Sequence, residues 1–193
     1  MKQVNQINIS IVEKARAFAI AAHSAVGQRR KYSNEPYWKH CEEVASLAST
    51  CDSATDEMLA AAFLHDVIED TSIGISVIEE EFGEVIGHYV WKLTEQTRPE
   101  DGNRAKRKSI ERSRLADAPA DVQTIKLADL ISNTRSIVQY DPDFAKVYLN
   151  EKLLLLEVMT KGDRYLYAYA KELAEAGLAS LKSNQTKEGK TQC

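Results

Sequence analysis

Apolar residues recur along this chain every three to four positions, and nowhere in convincing alternation. That period puts a stripe on a cylinder, not a face on a sheet, so the chain has to pack helices on helices. Ile11, Ala15, Phe18, Ala19, Ala22 and Val26 mark the first stripe and predict a helix over 8–26, stopped at Gly27. Further helices are expected at 37–50, at 54–69 with Thr55 as its N-cap, just before Gly83, over 84–97, in the basic stretch up to Asp117, and at 120–139, 144–160 and 163–182. Only 8 Gly and 4 Pro interrupt 193 residues, and no repeat or linker divides them. The expectation is a single all-α helical bundle over 1–182 with a polar, disordered tail at 183–193.

Several classes of protein are disfavoured at once. The polar start "MKQVNQINIS" lacks the apolar core of a secretory signal, and no apolar run is long enough to span a bilayer. Three cysteines, Cys41, Cys51 and Cys193, show no paired spacing, which predicts neither disulfides nor a zinc knuckle and suits the cytoplasm. A formal net charge of −4 argues against nucleic acid as a partner. Two local basic clusters, "QRRK" at 28–31 and "RAKRKSIERSR" at 104–114, could be solvated faces or could meet a phosphorylated small molecule.

The apolar run "AAAFL" at 60–64 ends abruptly in "HDVIED". On a continuous helix His65 lies under Glu69 and Asp66 under Asp70, with His65 and Asp66 side by side. Imidazole beside carboxylate suits a divalent metal such as Mn, Fe or Zn, although two ligands are too few. His40, one of four histidines, is a candidate partner, as is Asp129, a carboxylate set among Ile125, Leu127, Ala128, Leu130 and Ile131. Any one of these alone is commonplace in proteins; their conjunction is not.

The segments "AHSAVGQRRKYSNEPYWKH" (22–40), "AAAFLHDVIEDT" (60–71), "VIEEEFGEVIGHYVWKLTE" (77–95) and "KLADLISNTRS" (126–136) resemble the HD-domain phosphohydrolases, within them the hydrolase domain of RelA/SpoT-type alarmone enzymes, and above all the stand-alone small alarmone hydrolases. The likeness covers about residues 8–160. It implies an all-α HD bundle, with His40, His65, Asp66 and Asp129 as ligands of one divalent metal, usually Mn²⁺. It further implies Glu69 and Asp70 as the pair that handles water and protons, and Arg30, Lys31 and Asn133 as contacts to a guanine nucleotide. Lys106, Arg107 or Lys108 would add charge against the phosphates. The reaction implied is removal of the 3′-diphosphate from guanosine tetra- or pentaphosphate.

The pattern departs from that family in three places. The loop from Lys31 to His40 is about one residue short and reads "NEPYW" where relatives often carry Gly before Pro-Tyr. The substrate-binding tyrosine after the last ligand falls on Tyr148, with Glu151 or Lys152 as competing alignments. The length leaves no room for a synthetase domain, so hydrolysis without synthesis is expected. Rival readings are an HD enzyme acting on deoxynucleotide monoesters or on the 2′-phosphate of NADPH, and a non-catalytic nucleotide-binding regulator. His23 and His88 are expected in the core or on the surface, and Cys41 as a packed thiol.

Overall fold

The Ser10 hydroxyl accepts the Glu13 backbone N–H at 3.2 Å and so starts the first helix. The computed structural model describes residues 9–188. Its helices are α1 (Ile11–Ala25), α2 (Trp38–Ala48), α3 (Asp56–Leu64), α4 (Val67–Asp70), α5 (Ile75–Phe82), α6 (Glu84–Leu93), α7 (Arg104–Asp117), α8 (Ala120–Tyr140), α9 (Pro142–Leu156) and α10 (Arg164–Glu188), with a 3-10 turn at Pro99–Asp101. Among the described residues the only β feature is an isolated bridge between Arg29 and Pro36. No helix among them is long and apolar enough to cross a membrane.

Helix α3 is the buried axis of the N-terminal half and packs against α1, α2 and α6. Thr55 caps it as expected, accepting Met58 N–H at 3.1 Å. Met58, Ala60, Ala61, Ala62 and Leu64 are fully buried. The alanines meet Ala15 and Ala19 of α1 and Ala45 and Ala48 of α2, so small side chains let the backbones approach closely. Helix α8 is the second axis, with α2, α9 and α10 around it.

Buried Gln123 anchors the start of α8. Its Oε1 accepts Lys161 N–H at 2.8 Å and Gly162 N–H at 3.2 Å, and its Nε2 donates to Leu115 O at 2.8 Å. A Cβ on Gly162 would stand 3.2 Å from the Gln123 backbone carbon and 2.8 Å from Leu127 Cδ1, so only glycine permits this approach.

Several boundaries differ from the sequence expectation: the helix expected over 84–97 ends at Leu93 and that expected over 144–160 runs Pro142–Leu156. The helix expected over 54–69 is broken after Leu64: Asp66 sits at φ −102°, ψ −2°, and the chain restarts as α4. The final helix continues to Glu188, past the expected tail boundary at 182, because nothing between Ser183 and Glu188 breaks a helix. The rest of that tail, 189–193, lies outside the described residues, as do 1–8.

Candidate metal centre and the cavity beside it

The break after α3 turns His65 and Asp66 inward together. His65 Nδ1 lies 2.8 Å from the Ala62 carbonyl oxygen. A carbonyl can only accept, so Nδ1 carries a proton and Nε2 is the nitrogen that faces the centre. His40, on the first turn of α2, reaches the same state by another route. The Ser132 hydroxyl donates to Glu43 Oε2 at 2.6 Å, so its oxygen accepts from His40 Nδ1 at 2.9 Å. Both Nε2 atoms are buried without a hydrogen-bond partner. An orphaned buried acceptor is costly, and two facing one point call for a shared cation.

Asp66 and Asp129 complete the surroundings. Asp66 Oδ2 lies 2.9 Å from His65 Nε2 and 3.6 Å from His40 Nε2, and Asp129 Oδ1 lies 3.2 Å from His40 Nε2. Edges of roughly 3 Å are what bonds of about 2.1 Å to one ion produce, so the donor set fits a divalent metal. His40, His65 and Asp66 form the compact cluster that can hold such an ion. Asp129 stands at its rim, its Oδ2 2.7 Å from Lys126 Nζ and its Oδ1 accepting Asn133 Nδ2 at 2.6 Å.

The electrostatics already favour a cation. Burial works against a charged His65, but Asp66 and Asp129 outweigh it and push the imidazole up to about 9. Burial works against both carboxylates, yet the imidazoles hold Asp66 below the usual range, and Lys126 and His40 hold Asp129 there. Desolvation instead lifts Glu69 and Asp70. Glu69 accepts the Glu95 backbone N–H, while the Gln28 amide partly offsets the rise at Asp70.

The other expected residues divide into those brought to the centre and those not. Arg30 donates to Asn133 Oδ1 at 3.3 Å and Ser136 Oγ at 3.4 Å, joining the basic loop to α8. Its loop turns at Asn34, φ 56°, a left-handed position that Asn tolerates. Lys31 turns elsewhere: it is largely exposed and pairs with Asp141 at 3.0 Å. Tyr148 is buried, and its hydroxyl has no hydrogen-bond partner. It lines a cavity of ≈ 150 Å³ next to the centre, together with Glu69, Lys126 and, of the three basic candidates on α7, Lys108. Arg107 instead donates to Gly102 O at 2.9 Å.

Sequence reasoning missed Ser132, Glu43 and Tyr37, whose hydroxyl donates to Asp66 Oδ2 at 2.7 Å. Ser132 stands four residues before Ser136 and one before Asn133 on the face that bears Asp129, which was the available signal. His23 is buried, its Nδ1 2.6 Å from Gln28 Oε1, and His88 is exposed. Burial keeps Cys41 a protonated, packed thiol, 3.6 Å from His23 Nε2.

The HD domain family model matches residues 15–154. Over 139 residues the chain is 35% identical to the "Probable GTP pyrophosphokinase" of Mycobacterium leprae, covering 70% of this chain and 17% of that protein. Over 132 residues it is 39% identical to the "Probable guanosine-3′,5′-bis(diphosphate) 3′-pyrophosphohydrolase" of Synechocystis, covering 66% and 17%. The chain thus spans about a sixth of the length of these long relatives, 17% in each case. A guanosine-3′,5′-bis(diphosphate) 3′-pyrophosphohydrolase of Drosophila melanogaster is 35% identical over 112 residues, covering 57% of this chain and 61% of that one. In structure, a metazoan SpoT ortholog described as hydrolysing ppGpp superposes with a TM-score of 0.76 at 23% identity, covering 89% of this chain and 97% of that one. The lmo0812 protein of Listeria monocytogenes gives 0.61 at 20%, covering 75% and 97%. At such identities the two structures establish the shared fold.

Proposed function

The chain belongs to the HD-domain family, and from that premise we propose that it hydrolyses guanosine 3′,5′-bis(diphosphate) to GDP and pyrophosphate. One observation carries the reading: two buried imidazole Nε2 atoms converge on Asp66 with Asp129 beside them. The names of the Synechocystis and Drosophila relatives supply the substrate.

His40, His65, Asp66 and Asp129 would hold one divalent ion, for which manganese is our candidate. When bound, such an ion supplies Lewis acidity and brings the pKa of water from 15.7 toward roughly 7. Glu69 and Asp70, both raised by burial, are the carboxyls placed to exchange protons with that water. They take the proton of the attacking water as its oxygen bonds to the phosphorus on the 3′ oxygen. The ester bond breaks, and the 3′ oxygen leaves with a proton. Arg30 and Asn133 position the nucleoside, Tyr148 and Lys108 meet the phosphates, and Lys31 needs to swing from Asp141 to take part. Our reading assigns the enzyme to the cytoplasm, where a nucleotide of this kind would be met.

The test is to incubate the metal-stripped chain with Mn²⁺ and guanosine tetraphosphate and to assay GDP and pyrophosphate, with Asp66→Ala as control. Metal-dependent release that the substitution abolishes is expected. Metal binding without release would reject the substrate and send the search to other nucleotide phosphates, NADPH among them.

A further inference from the structure

The cavity beside the metal-holding cluster is walled from α4 by Glu69, from α7 by Arg104 and Lys108, from α8 by Lys126, and from α9 by Tyr148 and Lys152. Three of its cations are already matched. Lys108 Nζ lies 2.7 Å from Glu95, Arg104 grips Glu151 through bonds of 2.7 and 2.8 Å, and Lys126 lies 2.7 Å from Asp129. Lys92, Arg112 and Lys152, which also line it, have no such partner among the described residues, and of these Lys152 lies one turn from Tyr148 on α9. Among the described residues its ammonium makes no hydrogen bond or ion pair, and rests over the Tyr148 ring at 4.5 Å. One turn back, the Tyr148 hydroxyl is buried and also unpartnered.

Two donors four residues apart on one helix, in one cavity, share no acceptor within the protein. The complementary group is anionic and offers several oxygens, which describes a phosphate. Lys126 touches Asp129 and also walls the cavity, so a group seated there adjoins whatever lies at the metal-holding cluster.

We propose that Lys152, with the Tyr148 hydroxyl, receives the outer phosphate of a diphosphate whose inner phosphate lies at the cluster, so that the chain selects diphosphate over monophosphate esters. The inference rests on the hydrolytic reading above and adds to it the residue that senses the length of the leaving group. Burial, with Lys126 and Lys108 nearby, holds the empty amine down to about 7, while Asp129 and Glu151 oppose the drop. An incoming phosphate restores its charge.

The experiment is calorimetric titration of the full chain, without added metal, with inorganic pyrophosphate and with orthophosphate. The wild type is compared with Lys152→Met and Lys152→Arg. Pyrophosphate is expected to bind at least tenfold more tightly than orthophosphate, the Met variant to lose most of that preference, and the Arg variant to keep it. Thermal unfolding verifies that the Met variant is folded. An unchanged pyrophosphate affinity in Lys152→Met, or no preference in the wild type, would overturn the proposal. If pyrophosphate binds through Lys152 but guanosine tetraphosphate is not cleaved, the subsite stands and the assigned reaction falls; cleavage with unaltered pyrophosphate binding in the Met variant is the reverse.

Discussion

The Tyr37 hydroxyl donates to Asp66 Oδ2 at 2.7 Å, the same oxygen that lies 2.9 Å from His65 Nε2. The phenol thereby aims one lone pair of the carboxylate and leaves another for a cation. Burial and the nearby carboxylates push Tyr37 far above its ordinary value, so it remains a donor at every working pH. Tyr37→Phe should weaken Mn²⁺ binding by roughly tenfold, as loss of an outer partner to a ligand commonly does. Calorimetry with MnCl₂ would measure it, and an unchanged affinity would show that the backbone alone orients Asp66.

Ser132 relays the Glu43 carboxylate to His40 Nδ1 through bonds of 2.6 and 2.9 Å. Ser132→Ala removes the acceptor that fixes the His40 tautomer, and metal affinity should fall about 10–100-fold. Ser132→Thr keeps the hydroxyl and should restore much of it. Equal losses in both variants would indicate a packing defect and not a lost relay.

A pH dependence follows from His65, whose pKa in the folded chain is raised to about 9 from an ordinary 6.5. In the metal-free protein that stabilisation is complete below pH 6.5 and disappears as pH rises through about 9. Metal and proton compete for the same nitrogen, so binding near pH 7 releases a proton and tightens toward pH 9. Thermal unfolding across that range, with and without Mn²⁺, should show the ion's contribution growing as the metal-free protein weakens. Parallel curves would refute the competition.

Arg30 joins the loop before α2 to Asn133, 103 residues away in sequence. Arg30→Ala should impair hydrolysis of guanosine tetraphosphate more than that of a generic phosphomonoester, mainly through KM. Matching losses on the two substrates would remove guanine-nucleotide selection from this residue.

The candidate ligands were legible because their chemistry clashed with their surroundings. Asp129 among apolar neighbours and His65-Asp66 at the end of an alanine run could be singled out without coordinates. Their supports could not: Tyr37, Glu43 and Ser132 are ordinary polar residues on helix faces, and only tertiary contact brings them together. The break after Leu64 was also hidden, since no Gly or Pro announces it and every residue from 60 to 70 can extend a helix. The Lys31–Asp141 pair was hidden for a similar reason, as the two residues lie 110 apart in sequence. Helix existence followed from periodicity, whereas the exact ends depended on contacts that periodicity does not encode.

Helix α8 carries Lys126, Asp129, Ser132 and Asn133 along one face, while Gln123, one turn before Lys126, clasps the turn before α10. A rod of this length transmits a shift in its axial position with little attenuation. The turn at 161–163 is thereby tied to the helix that carries Asp129, although no atom of that turn need touch substrate. Damage there would show itself first as a misaligned metal centre, well before the bundle came apart.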